Sequence, residues 1–275
     1  MRQYGILAYP AAHSRSPLMH NAAFKAMNID AYYGVFEKKP EELEAFMREV
    51  LERPIDGLSV SLPYKESILK YLDQVEPAVQ KIGAVNTVVN KEGKLYGFNT
   101  DWIGSNRALI EVVGDLTEKI VVILGAGGAA RAVAYGALLA GAHVWIKNRT
   151  KEKADAIAVE FAEFFSTQIH SVPLGEMRTG DILINTTSGW TNGMEDWKEE
   201  MIADYINLDY LANYQAVMDI VYTPLITPLL ETASEIGVNI ITGDKMLLYQ
   251  ACEQFKLWTG EDAPLEVMSK ALEAV

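Results

Sequence analysis

The sequence holds a single cysteine, Cys252, in 275 residues. No internal disulfide can form, and no thiolate metal site can be assembled. Histidine is scarce as well: His13, His20, His143 and His170 are scattered without metal-ligand spacing, so no metal centre is expected. Positive charge is in short supply, with 24 Lys and Arg against 37 Asp and Glu and a net charge of −13. Such a surface repels polyphosphate backbones and excludes general nucleic-acid binding, although a local basic cluster can still hold one small phosphate. Long apolar runs are also missing. The stretch through Pro10 is too short for a signal peptide. The longest apolar region, residues 120–146, is broken by glycines and carries Arg131 and His143, which excludes a membrane span. A soluble, cytoplasmic protein is expected, with no membrane or nucleic-acid partner.

What is present is an alternation of short β-type runs and amphipathic stretches. About half the residues (49%) are apolar, enough for a real core in one large domain or two moderate ones. Strands are expected at 4–8, 31–36 and 57–61. A helix opens at Ser16-Pro17, with serine as the N-cap and proline at the first helical position, and further helices cover 40–51 and 64–71. Near residue 103 a second series begins. It has a helix at 102–112, strands at 119–124, 143–147, 182–185 and 206–209, a short apolar stretch at 238–242, and a last helical region with Met246, Leu247, Gln250, Phe255 and Trp258. This alternation is the mark of an α/β fold with a parallel or mixed sheet.

Gly125-Ala126-Gly127-Gly128-Ala129-Ala130 matches a dinucleotide-binding turn, with alanine replacing the third glycine. A strand precedes it, a helix follows, and another strand comes about twenty residues on. The helix N-terminus offers free N–H groups and partial positive charge to a pyrophosphate. At the end of the next strand an NAD site carries Asp or Glu for the ribose hydroxyl. Here Asn148-Arg149-Thr150 and Lys153 stand instead. Two cations without a carboxylate suit a 2′-phosphate, so NADP(H) is the expected cofactor.

Three polar clusters lie at the ends of apolar segments in the first hundred residues. They are Ser14-Arg15-Ser16-Pro17, then Ser59-Val60-Ser61-Leu62-Pro63-Tyr64-Lys65, and Gly83-Ala84-Val85-Asn86-Thr87 followed by Gly97-Phe98-Asn99-Thr100-Asp101. Singly, each has an ordinary structural explanation: Ser16 caps a helix, Lys65 is surface charge, Asn86 bridges a turn, Asp101 caps the helix after it.

Jointly, these clusters resemble the shikimate dehydrogenase family. With Asp219-x-x-Tyr222-x-Pro224 and Gly243-x-x-Met246-Leu247-x-x-Gln250, the motifs occur in family order over nearly the whole sequence. The resemblance implies two α/β domains with a cleft between them: a substrate domain at 1–103 and 240–275, and a Rossmann-like NADP-binding domain at 104–239. It implies reversible reduction of 3-dehydroshikimate to shikimate, with Lys65 and Asp101 as the catalytic pair. Ser14, Ser16 and Tyr222 would hold the substrate carboxylate; Ser61, Asn86 and Gln250 would hold ring hydroxyls. Gly125, Ala126, Gly127, Gly128, Ala129, Asn148, Arg149, Thr150 and Lys153 would bind the cofactor, with Gly243 and Met246 near the nicotinamide. A homodimer is compatible with the resemblance.

Two departures stand out. The family usually has Asn where Ser59 stands, and the segment Asn185-Thr186-Thr187-Ser188-Gly189 is one residue shorter than usual. Quinate, with one more hydroxyl beside the carboxylate, is the nearest rival substrate; Ser14 and Ser16 favour shikimate. A non-catalytic metabolite sensor would not need both Lys65 and Asp101, and a folate- or glutamyl-type dehydrogenase does not suit the Ser14, Lys65, Asn86 and Asp101 set.

Overall fold

The computed structural model describes residues 1–12, 14–53, 55–165, 168–174, 176, 179–187 and 208–274. It divides into two compact units, Met1–Thr100 with Leu248–Val275, and Asp101–Leu247. Each unit is built on a six-stranded sheet.

The first sheet is mixed. Its strands are β1 (Arg2–Ala8), β2 (Ala31–Glu37), β3 (Ile55–Val60), β4 (Gln74–Val75), β5 (Thr87–Lys91) and β6 (Lys94–Phe98), in the order β2-β1-β3-β5-β6-β4. Strands β1, β2 and β3 run parallel, whereas β5 lies antiparallel to β3 and to β6. Its helices are α1 (Ser16–Ala26), α2 (Leu43–Glu52) and the short α3 (Pro77–Ile82). Leu43, Phe46, Met47 and Val50 form the buried stripe of α2 and pack into a core with Leu58, Val60, Ile68 and Val88. That stripe follows the i, i+3, i+4, i+7 spacing of an amphipathic helix.

The second sheet is wholly parallel. Its strands are β7 (Ile120–Leu124), β8 (His143–Lys147), β9 (Ile169–Ser171), β10 (Ile182–Asn185), β11 (Ala216–Asp219) and β12 (Asn239–Ile241), in the order β12-β11-β10-β7-β8-β9. From β7 the chain winds outward to β9 and then returns to β10 on the other side, which is the doubly wound arrangement. Around it lie α4 (Asp101–Val113), α5 (Gly128–Leu139), α6 (Lys151–Phe165) and α7 (Pro228–Glu235). The β7, β10 and β11 strands are buried on both faces, as strands in a parallel sheet with helices on both sides must be.

Helix α8 (Gly243–Thr259) begins in the second unit and ends in the first, where α9 (Leu265–Glu273) follows it. Its C-terminal half seals the first core. Trp258 stacks on Tyr4 at 5.0 Å, and its indole N–H donates to the Val88 carbonyl at 3.0 Å. Phe255 packs on Phe24 of α1.

The structure corrects three local expectations. Arg15, not Ser16, occupies the N-cap of α1, and Ser16 is its first helical residue. The helix expected at 64–71 is a 3-10 turn over Ser67–Tyr71 only. Of the strand expected at 206–209, residues 206 and 207 lie outside the described part, while Leu208 and Asp209 belong to a 3-10 segment. The strand is β11 instead. Among the described residues, no helix is long and apolar enough to cross a membrane, and no cluster of His, Cys, Asp and Glu has metal-site geometry.

The docking of α8 on β3 leaves no room at Gly57. A Cβ there would lie 2.4 Å from the Trp258 indole nitrogen and 2.8 Å from the Val88 carbonyl. Gly57→Ala must push the indole off its acceptor, so a loss of about 1–3 kcal/mol is expected. Thermal unfolding measures it; an unchanged Tm would show that Trp258 is not held against β3.

Candidate active site

In the first unit, topology gathers the expected residues along one edge of the sheet. Strands β1 and β3 end there, β5 begins there, and β6 ends there, because Ser59 pairs with Thr87 and Thr87 with Phe98. The edge therefore carries Ser14 and Ser16 after β1, Ser61 and Lys65 after β3, Asn86 before β5, and Asn99 and Thr100 after β6. Ser16 is buried, and its backbone N–H donates to the Ser14 hydroxyl at 3.3 Å. The Ser61 backbone N–H bonds to Leu7 on β1 at 2.9 Å, and the Lys65 carbonyl accepts from Val85 N–H at 2.7 Å.

Asn86 is the knot in this edge. Its backbone N–H donates to Phe98, and its carbonyl accepts from Val60. Its side-chain oxygen accepts from Thr100 N–H and from the Thr87 hydroxyl, each at 2.8 Å. Its Nδ2 donates to the Thr100 hydroxyl at 2.9 Å and to Gln250 Oε1 at 3.3 Å. Gln250 comes from α8, 164 residues away. Thus Asn86 does bridge a turn, and it also joins Gln250 to Thr100, the residue before Asp101. Asp101 is buried and opens α4, where the free N–H groups of the first turn favour a carboxylate.

In the second unit, the expected residues stand at the carboxyl ends of the parallel strands. The switch point lies between β7 and β10, where doubly wound sheets bind ligands. Gly125 has φ +110, and a Cβ there would meet the Thr186 hydroxyl at 2.6 Å, so only glycine makes this turn. Gly127 is exposed and precedes α5, and a Cβ there would meet nothing within 4 Å. Ala126 and Ala129 flank it, and Gly128 begins the helix. After β8, Asn148 donates to the Thr150 carbonyl at 2.7 Å. Arg149 and Lys153 are exposed, and neither joins an ion pair among the described residues. After β10, Thr186 and Thr187 are described, while Ser188 and Gly189 lie outside the described residues.

Two further expected residues have structural grounds. Gly243 comes so close to the chain after β11 that a Cβ would lie 2.4 Å from the Ile220 carbonyl. Met246, one turn on, is buried. Tyr222 follows β11, and its position depends on a residue that the sequence reading left without a role. Asp219 is fully buried; it accepts from Val221 N–H at 3.0 Å, from Asn185 Nδ2 at 3.1 Å and from the Thr227 hydroxyl at 2.8 Å. Asn185 in turn accepts from Thr187. One carboxyl thereby holds the segments that follow β10 and β11. Burial pushes its pKa up to about 6, offset in part by the three donors.

Residues 6–88 match the shikimate dehydrogenase substrate binding domain, 108–220 the shikimate / quinate 5-dehydrogenase family, and 245–273 the shikimate 5′-dehydrogenase C-terminal domain. A shikimate dehydrogenase (NADP(+)) of Pyrococcus furiosus is 43% identical, covering 97% of this chain and 93% of its own. The crystal structure of a shikimate 5-dehydrogenase from Thermus thermophilus, with NADP(H) and shikimate bound, superposes with a TM-score of 0.88 at 36% identity, over 99% of both chains. A ligand-free 5-ketofructose reductase of Gluconobacter also superposes, with a TM-score of 0.85 at 32% identity, over 99% of this chain and 98% of its own.

The raised carboxyl has a measurable consequence. Asp219 ionises near 3.8 in the unfolded chain and near 6 when folded, so its charge opposes folding at every pH above that window. The penalty grows from about pH 4 to pH 6, then levels at on the order of 3 kcal/mol. Asp219→Asn has no such penalty. Its stability relative to the wild type, from chemical denaturation, should rise across that interval and stay constant above it. A difference that stays flat from pH 4 to 7 would contradict the assignment.

Proposed function

The chain belongs to the shikimate dehydrogenase family, and we propose that it catalyses the reversible, NADP-dependent reduction of 3-dehydroshikimate to shikimate. The observation that carries this reading is the edge of the first sheet, where Asn86 ties Gln250 to Thr100 and its neighbour Val85 binds the Lys65 carbonyl. A small polyol acid needs a compact set of amides, hydroxyls and one cation. That edge supplies them.

The residues of the second unit fit the cofactor. The space beyond Gly127, which a Cβ would partly fill, is where a pyrophosphate approaches the first turn of α5. Arg149 and Lys153, exposed after β8, supply two cations for a 2′-phosphate, and no carboxylate stands at 148–150 to favour NAD. When bound, NADPH supplies the hydride. Lys65 polarises the ketone through its ammonium group and delivers the proton to the oxygen as the alcohol forms. Asp101 orients the Lys65 ammonium; it directly follows Thr100, whose N–H donates to Asn86. Ser14, Ser16 and Tyr222 hold the carboxylate, and Ser61, Asn86 and Gln250 the ring hydroxyls.

Two experiments test the reading. The first follows NADP⁺ reduction with shikimate, quinate and fructose, the ketose left when one ketone of 5-ketofructose is reduced, with Lys65→Met beside the wild type. Shikimate should be the preferred substrate. Lys65→Met should lose roughly 10²–10⁴ in kcat, the usual worth of a positioned acid, with KM changed much less. Preference for another substrate overturns the substrate assignment, and near-normal kcat in Lys65→Met overturns the mechanism. The second concerns Gly127→Ala. Because nothing stands within 4 Å of the added methyl, Tm should not change. The KM for NADP⁺ should rise about tenfold or more as the backbone is held off the pyrophosphate. An unchanged KM would remove Gly127 from the cofactor site.

A further inference from the structure

Behind Asn86 the structure holds a buried relay of hydrogen bonds that all run in one direction. The Tyr33 hydroxyl donates to Ser59 Oγ at 2.6 Å, and Ser59 donates to Gln254 Oε1 at 2.7 Å. Gln254 Nε2 donates to the Thr87 hydroxyl at 3.0 Å and to the Asn86 carbonyl at 3.1 Å. Thr87 then donates to Asn86 Oδ1 at 2.8 Å. Ser59, Thr87 and Gln254 are all at most 5% exposed, so no water competes along the line.

The start of the relay is held firmly. Asn21 brackets the Tyr33 backbone with two bonds of 2.9 Å, and His20 stacks on the Tyr33 ring at 4.6 Å. His20 and Asn21, neighbours on α1, thus share a physical task, which is to seat Tyr33.

A carboxamide has two ends of similar shape, and which end faces which neighbour is set by the donors and acceptors around it. With Thr87 and Thr100 N–H both presenting hydrogens, Asn86 must turn its oxygen to them and its NH₂ to Gln250. Gln250 must then answer with its oxygen, so its NH₂ end is the one turned away from Asn86. Gln254 lies one turn beyond Gln250 on the same helix, and its bonds to Thr87 and the Asn86 carbonyl hold the other member of that pair.

We propose that Tyr33, Ser59 and Gln254 are positioning residues that set the amide orientation of Asn86 and Gln250, and hence the polarity with which the site meets the ring hydroxyls. The inference rests on the function proposed above. It also explains why serine serves where the family usually has asparagine: Ser59 acts through Gln254, with Tyr33 supplying the donor behind it.

The test uses the full-length enzyme. Ser59→Ala and Gln254→Leu should each raise the KM for shikimate about tenfold, the worth of one hydrogen bond, with kcat within about threefold and the NADP⁺ KM unchanged. Tyr33→Phe keeps the ring on His20 and should raise the shikimate KM in the same way. Tyr33→Phe with Ser59→Ala should be no worse than Ser59→Ala alone, because both break one line. Ser59→Thr, which restores the hydroxyl, should restore KM. An unchanged shikimate KM in Ser59→Ala and Gln254→Leu, whatever happens to Tm, overturns the relay. A wild-type enzyme that does not turn over shikimate overturns the proposed function, and the relay with it.

Discussion

The carboxamide of Asn86 is the constraint on which the first unit depends. Every polar atom of this residue, backbone and side chain, has a partner inside the protein. A buried amide with unmatched ends costs 1–3 kcal/mol per group, so these partners must arrive together or not at all. They come from β3, β6, the segment before Asp101, and α8. Formation of this knot therefore requires the sheet edge to be complete and the C-terminal helix to have returned. Seating of the Trp258 indole between Gly57 and Val88 serves the same end, since it holds α8 at the depth where Gln250 and Gln254 reach the edge.

The second unit is governed by a different constraint. In a parallel sheet all carboxyl ends lie on one side, so every loop after a strand contributes to the same edge. Gly125 turns the chain there, and Asp219 ties the loops after β10 and β11 to each other through three hydrogen bonds. The cost is a carboxyl kept in a place where it resists ionisation. A neutral Asn would relieve the charge, but its amide presents hydrogens to Val221 and Asn185, which are themselves donors, unless it turns its oxygen their way. An ionisable oxygen pair accepts from all three without choosing.

Much of this was legible in the sequence. Runs such as residues 143–147 became strands because apolar, β-branched stretches between turn residues have few other ways to bury themselves. The glycine turn was legible because its neighbours have the right order. Other features left little local trace. The β5–β6 hairpin turns at Glu92-Gly93, both with positive φ, and Glu-Gly is a weaker hairpin signal than Asn-Gly or Asp-Gly. Strand β11 is only four residues long and shows no alternation. Ser16 carries the right residue type for an N-cap but lies one position inside the helix, with Arg15 before it. The relay through Tyr33, Ser59 and Gln254 could not be read at all, because Ser59 and Gln254 are 195 residues apart and neither belongs to a motif that demands the other. Asp219 stood in a recognised motif, but its role follows from three partners that only the fold brings to it.

The most direct test of this account is a crystal structure of the protein with NADP⁺ and shikimate bound. The account predicts the ring hydroxyls against Asn86 and the NH₂ end of Gln250, the Lys65 ammonium on the oxygen that is oxidised, and the pyrophosphate on Gly127 with Arg149 at the 2′-phosphate. A shikimate ring seated away from the Asn86 edge, or a Gln250 amide that meets it with oxygen instead of nitrogen, would contradict it.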